Sequence, residues 1–512
     1  MTWLLPYTPL TEPFEHQREI LQRSWKRPHW ALCMEPGTGK SWIVIQTLAL
    51  HYALGQLRGA LIIAPNGVHE NWEEQFALHL GLTVPLRFMA YRSSRRLAQE
   101  LTLDNWVIEA RDPQWRTIGQ PPLWVVSMNA EAMSHPSGLA FAHRFIQMCR
   151  PDQAALIIDE SHKFKRPGAK RTRAVLKLAE PIRLKRILSG TPTPHGLEDL
   201  YSQYRILDWK YLGHRTAASY RGEFCIEQKF ARFSKIVGYK NITALNARRA
   251  PITSEIRLDE CVDLPLVQGS IESHPTVIYV DLTDEQRKLY RDLVTQYHTF
   301  VRGGMVSAEE VITRMLRLQQ ITGGTLALDP EVEGGERELL TFPSAKLAAV
   351  VDLVESAGDS KVIVWCRFKA EVQLVHDALA KADIPSFMHS GDTTSADRKQ
   401  IREEWKTSES RVLISTLSTG SSGFTLNEAQ VAIFYSNWWG FEERLQAERR
   451  NLRIGQGKAV VYYDLVARGT IDAYILQTLQ RKQSVSAMVR LNPRAALGQL
   501  LNDTTTQLGG HA

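Results

Sequence analysis

Cysteine is scarce in this chain and is nowhere paired. The 512 residues hold five (Cys33, Cys149, Cys225, Cys261 and Cys366), scattered without a C-x-x-C spacing and without clustered histidines. Such a set supports neither a zinc site nor a disulfide framework, and reads as small buried hydrophobes. Apolar runs long enough to span a bilayer are also missing. The opening MTWLLPYTPL is short, uncharged and interrupted by Pro6, unlike a basic-then-apolar leader. These absences predict a cytoplasmic protein without a membrane partner. Neither short repeats nor low-complexity tracts occur. Charge of one sign is in small excess, 62 Lys and Arg against 55 Asp and Glu, a net +7. That balance permits a polyanionic partner without requiring one.

The length predicts two or three domains. Nearly all-apolar runs alternate with helical patterns in the first two fifths: HWALCM, ALIIAPN, LWVVSMN, ALIIDES and RILSGTP. Runs of that kind predict a parallel sheet covered on both faces, with functional residues at the carboxyl ends of the strands. From about residue 209 the chain turns basic, aromatic and weakly periodic, then helical over 283–321. Alternation resumes at SKVIVWCRF and continues through RVLISTLSTG, QVAIFYSNW and KAVVYYDLV. The predicted organisation is therefore an α/β lobe over 1–208 and a basic linker with helical protrusions over 209–340. A second α/β lobe follows over 341–490, with a tail over 491–512.

Residues 33–41, CMEPGTGKS, end in Gly39-Lys40-Ser41, which suits a loop around a phosphate. The full pattern asks for glycine at 34, where Met34 stands. A strand before it, the turn Pro36-Gly37-Thr38-Gly39 and a helix after it still make an anion site, because unpaired amides and the helix dipole point at the ligand. Lys40 would then hold the β- and γ-phosphates and Ser41 would reach magnesium. Asp159-Glu160 close the strand ALIIDE; the aspartate suits magnesium and the glutamate an attacking water. In QAERRNLRIGQ, Arg450 and Arg453 lie three apart and share a helix face, as guanidinium groups stabilising a transferring phosphoryl group would.

Taken in order, these residues resemble the Swi/Snf branch of superfamily-two helicase-like ATPases from about residue 10 to 485. PFEHQREIL places Gln17 on the family's adenine-reading glutamine, and the family needs only the final Gly-x-Gly-Lys-[Ser/Thr] of the phosphate loop. LIIAPNGVHENWEEQF, DESH and LSGTPTPHGLEDLYSQYRIL follow, the last carrying Ser189 and Thr191 of the coupling motif. LISTLSTGSSGFTLNEA matches through Ser415, Thr416, Gly420 and Gly423, and FYSNWW places Trp439 on the family tryptophan. Departures are Ser161 for alanine, Arg449 for aspartate, Leu452 for histidine, Thr425 for asparagine and Gly440-Phe441 for Asn-Pro.

The resemblance implies two RecA-like parallel-sheet lobes in tandem with a helical, basic insertion between them. It implies an ATP- and magnesium-using, DNA-dependent ATPase that steps along duplex DNA and displaces proteins or remodels branched DNA. Lys40, Asp159, Glu160, Arg450 and Arg453 would be catalytic; Gln17, residues 36–41 and Gly423 would bind nucleotide. Ser127, Asn129, Ser415, Thr416, Trp439 and the basic run HKFKRPGAKRTR are the candidates for nucleic-acid contact. Two other readings stand beside it: a helicase or annealing motor acting on forks or single strands, and a clamp that ATP merely locks. Hydrolytic residues weigh against the clamp, which does not need them. The short middle region and missing reader modules lead us to expect a bacterial or virus-infected cell rather than a nucleus.

Overall fold

The computed structural model describes residues 7–65, 68–115, 120–190, 192–193, 196–229, 234–257, 260, 267–302, 307–328, 338–389, 395–416, 426–452 and 459–482. It also describes residues 485, 488, 492–493 and 495–498. The chain packs as two compact units, 1–263 and 264–512, so the segment expected as linker and protrusions is divided between them.

In the first unit the five apolar runs become β1 (His29–Met34), β2 (Gly59–Ala64), β4 (Leu123–Asn129), β5 (Ala154–Ile158) and β6 (Leu184–Ser189), and β3 (Leu86–Ala90) is a strand that no such run announced. Beyond them lie a hairpin, β7 (Cys225–Lys229) with β8 (Ser234–Tyr239), and β9 (Thr253–Ile256). Among the described residues the main sheet is seven-stranded, ordered β3-β4-β2-β5-β6-β1-β9, and every pairing is parallel. Parallel strands need helical crossovers, and helices on both faces explain why the central strands alternate so little. β2 and β5, for instance, are buried along their whole length. Strand order decides what meets at the carboxyl edge. β6 lies between β1 and β5, pairing Cys33 with Ser189 and Ile158 with Ile187. Three loops that are far apart in sequence therefore leave the sheet side by side.

In the second unit β10 (Val267–Gln268) and β11 (Thr276–Val280) both pair with the last strand, and β12 (Thr325–Ala327) with β13 (Leu339–Thr341) form a small antiparallel pair. The main sheet continues with β14 (Lys361–Cys366), β15 (Ser386–His389), β16 (Val412–Thr416), β17 (Ala429–Phe434) and β18 (Val460–Ala467). Its order is β10-β18-β17-β14-β16-β15, again all parallel. The helices Asp284–Arg302 and Ala308–Thr322 are part of this unit's core. Tyr290, Met315 and Leu318 pack with Ile471 and Ile475 of the helix Ile471–Gln480. Among the described residues no helix is long and apolar enough to cross a membrane.

Candidate nucleotide site and coupling network

The phosphate-loop candidate follows from where β1 stops. Met34 is its last residue and is fully buried, so the position that lacks the pattern's first glycine belongs to the strand. The turn is made by Gly37 and Gly39, with φ of 89° and 81°, a left-handed conformation that costs other residues about 1–2 kcal/mol. Gly39 is required for a second reason: a Cβ there would lie 1.8 Å from Gln17 Nε2. The helix Lys40–Ala53 begins at once and points its first amides into the turn. Lys40 Nζ donates to the carbonyls of Met34 (2.7 Å) and Glu35 (3.2 Å), so its ammonium group lies within the loop.

The helix Glu15–Ser24 braces that loop. His16 Nε2 lies 2.8 Å from the Thr38 carbonyl, and Gln17 Nε2 donates to the same oxygen at 3.5 Å. Gln17 Oε1 accepts from the Phe14 amide at 2.9 Å. The Thr38 hydroxyl turns inward to the Glu35 carbonyl, 2.7 Å. Pro36 packs on the neighbouring strand end, since a Cβ on Gly190 would sit 2.7 Å from its Cδ.

The acid pair stands across β6. Asp159 accepts from the Trp72 indole N–H (3.2 Å, Oδ2) and from the Glu160 amide (3.0 Å, Oδ1). Burial first, and then the charge of Glu160, raise its carboxyl to about 6, while Lys40 pulls the other way. A cation beside this carboxylate would offset both costs, so Asp159 and Ser41, with the glycine turn, fit a magnesium–nucleotide pair. Glu160 adopts φ 50°, strain of a kind that collects at functional sites. Its Oε2 meets His162 Nδ1 at 3.2 Å, and the same nitrogen lies 3.2 Å from Ser189 Oγ at the end of β6. One imidazole thus touches both the acid pair and the end of β6.

A second tie comes from Gln203, on the helix Leu200–Leu207. It accepts from Ser161 Oγ (2.7 Å) and donates to the carbonyls of Pro192 (2.6 Å) and Asp199 (2.8 Å). Ser161, noted as a departure from alanine, therefore has a defined partner. Neither His162 nor Gln203 was singled out by the sequence reading; His162 in DESH was the available signal, and Gln203 had none.

In the second unit the helix Phe441–Asn451 carries Arg450 in its last turn, buried. A buried ionic cluster fixes the helix. Arg444 Nη2 donates to Asp464 Oδ2 (3.0 Å), Nη1 to Asn437 Oδ1 (2.6 Å) and Nε to Glu448 Oε1 (2.9 Å). Glu448 also accepts from Ser270 Oγ (2.6 Å) and the Ile271 amide (2.9 Å). Arg449, in place of the family aspartate, pairs with Glu272 at 3.3 Å. Arg453, Gly423 and Thr191 lie outside the described residues.

The nucleic-acid candidates differ in exposure. Ser127, Ser415, Thr416 and Trp439 are all buried. Ser127 lies inside β4, Ser415 Oγ meets His389 Nδ1 at 3.0 Å, and Trp439 Nε1 donates to Gln319 at 2.8 Å. Asn129 is half-buried and caps the following turn by accepting from the Ala132 amide at 2.9 Å. The basic run, by contrast, leads into the helix Lys170–Ala179 and leaves Arg166, Lys170 and Arg173 exposed.

Comparison with known proteins bears on the whole chain. A profile of the SNF2-related domain matches residues 16–323, and one of the helicase conserved C-terminal domain matches residues 345–455. The chain is 27% identical over 414 residues to the TATA-binding protein-associated factor mot1 of Aspergillus fumigatus, covering 70% of this chain and 21% of that protein. It is 23% identical over 464 residues to an uncharacterized ATP-dependent helicase, MG018, of Mycoplasma genitalium, covering 89% and 39%. The chain thus spans between 21% and 39% of the length of these two relatives. A solved Sulfolobus solfataricus SWI2/SNF2 ATPase core in complex with dsDNA aligns over 99% of both chains at 18% identity, with a TM-score of 0.41. At that score the superposition adds nothing to the profile match.

Proposed function

The chain belongs to the SNF2-related family, and from that premise we propose that it is a DNA-dependent ATPase that uses hydrolysis to move along duplex DNA. The observation that carries the reading is the convergence at one sheet edge of the Gly39-Lys40 turn, the Asp159-Glu160 pair and Ser189, with His162 joining the last two. Lys40 and the first amides of its helix hold phosphate oxygens, and Gln17, fixed against Thr38, faces the base. Magnesium, when bound by Ser41 and Asp159, supplies charge that offsets the phosphates. Glu160 orients the attacking water and takes its proton. Arg450 and Arg453, on the second lobe, are assigned to stabilising charge on the transferring group. We assign the lobes to 1–208 and 341–490, with 209–340 between them and 491–512 as a tail.

For the duplex we assign phosphate contacts to Arg166, Lys170 and Arg173, exposed and 6 to 13 residues after Glu160. Such contacts fix register without reading sequence, and each weakens with salt. Steady-state hydrolysis measured without nucleic acid, with single strands, with duplexes of increasing length and with forks tests the reading. Stimulation that grows with duplex length and vanishes in Glu160→Gln is the expected result. Preference for forks or single strands would establish the strand-separating motor instead. Nucleotide-tightened DNA binding without turnover would establish the clamp.

A further inference from the structure

Beyond the nucleotide site, the segment that leaves β6 is gripped by a part of the chain with no role so far. After Ser189 the chain runs to Gly196, Leu197 and Glu198 before the helix Leu200–Leu207. Tyr239, the last residue of β8, donates its hydroxyl to Glu198 Oε2 at 2.6 Å. Gly196 makes room for that contact: a Cβ there would lie 1.6 Å from Tyr239 Oη and 2.5 Å from Glu198 Oε2. Tyr220, buried on the helix Ala217–Phe224 that leads into β7, donates to the Leu197 carbonyl at 2.7 Å. The two ends of the hairpin are tied together there, Lys240 N–H donating to the Phe224 carbonyl at 3.0 Å.

Among the described residues β7 and β8 pair only with each other, outside the main sheet. The hairpin presents Ile226, Val237 and Lys240 to solvent. Its contact through Tyr239 is with Glu198, whose chain neighbour Asp199 accepts from Gln203 at its carbonyl. Gln203 in turn accepts from the hydroxyl of Ser161, the residue that follows Glu160. Three hydrogen bonds and two single steps along the chain therefore link the hairpin to the residue assigned to the attacking water. Burial and the neighbouring carboxylate keep the Tyr239 phenol protonated, so it remains a donor.

We infer that Tyr239 is a positioning residue, through which the hairpin Cys225–Tyr239 sets Glu198 and Asp199 and so transmits a DNA-induced load to Glu160. The inference rests on the DNA-dependent ATPase reading and specifies which element reports DNA engagement to the acid pair. The Tyr239–Glu198 bond is the removable link.

The test measures turnover without DNA, turnover at saturating duplex, duplex affinity and melting temperature for wild type, Tyr239→Phe and Glu198→Gln. Tyr239→Phe keeps the ring and loses only the donor. Its basal turnover, duplex affinity and melting temperature should match wild type, while stimulated turnover falls roughly three- to tenfold, the net scale of one ordinary hydrogen bond. Glu198→Gln retains an acceptor oxygen and should keep most of the stimulation. Glu198→Ala approaches the link from the other side and should reproduce the loss if Tyr239→Phe folds poorly. Undiminished stimulation in both Tyr239→Phe and Glu198→Ala, or an equal fall in basal and stimulated turnover, would overturn the inference and leave the ATPase reading intact. A wild type that no duplex stimulates would overturn both.

Discussion

Glu371 shows at the residue scale how burial sets a charge state. It lies fully buried in the first turn of the helix Lys369–Lys381 and accepts from the amides of Arg367 and Phe368, both at 3.1 Å, and from the Ser436 hydroxyl. Burial raises its carboxyl from 4.5 to about 7, although those donors and Lys346 act the other way. Lys346 is itself committed to Asp472, at 2.6 Å. A carboxyl raised on folding stabilises the native state fully below pH 4.5 and loses that contribution as pH rises through about 7. The shift corresponds to about 3 kcal/mol at most. Glu371→Gln keeps an acceptor and removes the titration. Relative to that variant, wild type should gain a few degrees in melting temperature between pH 7.5 and pH 5.5; a constant difference across that range would refute the account. Sequence pointed to the proposed nucleotide residues because Lys40, Asp159 and Glu160 carry their chemistry in a short local pattern. It did not disclose Glu371, Gln203 or Arg444, whose roles depend on partners up to 65 residues away, as in Ser436 with Glu371.

At the element scale, the fully buried strands were legible from their unbroken apolar runs, and the helices from their period. β3 escaped because LRFMA buries only Met89, and β9 because it is an edge strand of four residues. The hairpin β7–β8 was hidden by its basic, aromatic composition, which reads equally well as a loop. The helix Phe441–Asn451 is the converse case: its sequence, FEERLQAERRN, reads as a solvated charged helix, yet Arg444, Glu448, Arg449 and Arg450 are all buried. Arg444 holds the helix to β18 through Asp464 and to its own next turn through Glu448. Removing one member of a buried ionic cluster strands the others without compensation, at a cost of about 3–5 kcal/mol. Arg444→Ala should therefore lower the stability of the second unit by that amount, and with it its melting temperature, while the first unit melts as in wild type. Differential scanning calorimetry with separate transitions for the two units would show it, and an unshifted transition would mean the cluster contributes nothing net.

For the whole molecule, the decisive fact is that the proposed chemistry is divided between two units with separate cores, 1–263 and 264–512. Lys40, Ser41, Asp159 and Glu160 belong to the first; Arg450 and Arg453 belong to the second. Nucleotide binding and nucleotide hydrolysis should then come apart under mutation. Binding needs the glycine turn, the helix amides and Lys40, all local to the first unit. Hydrolysis also needs positive charge where the transition state spreads negative charge over the γ-phosphate oxygens, and an arginine supplied there is worth about 10³–10⁵ in rate. Arg450→Ala should hence bind a fluorescent ATP analogue with nearly wild-type affinity and lose turnover by about a thousandfold, with or without duplex. Arg450→Lys should recover little, because a compact ammonium group cannot reproduce the planar, forked donor of guanidinium. Because Arg450 is buried, the control is the melting temperature of the second unit, which Arg450→Lys should leave near wild type. Loss of affinity in parallel with turnover would place Arg450 in ground-state binding. Unchanged turnover would remove it from the chemistry and leave the first unit to hydrolyse ATP with its own residues.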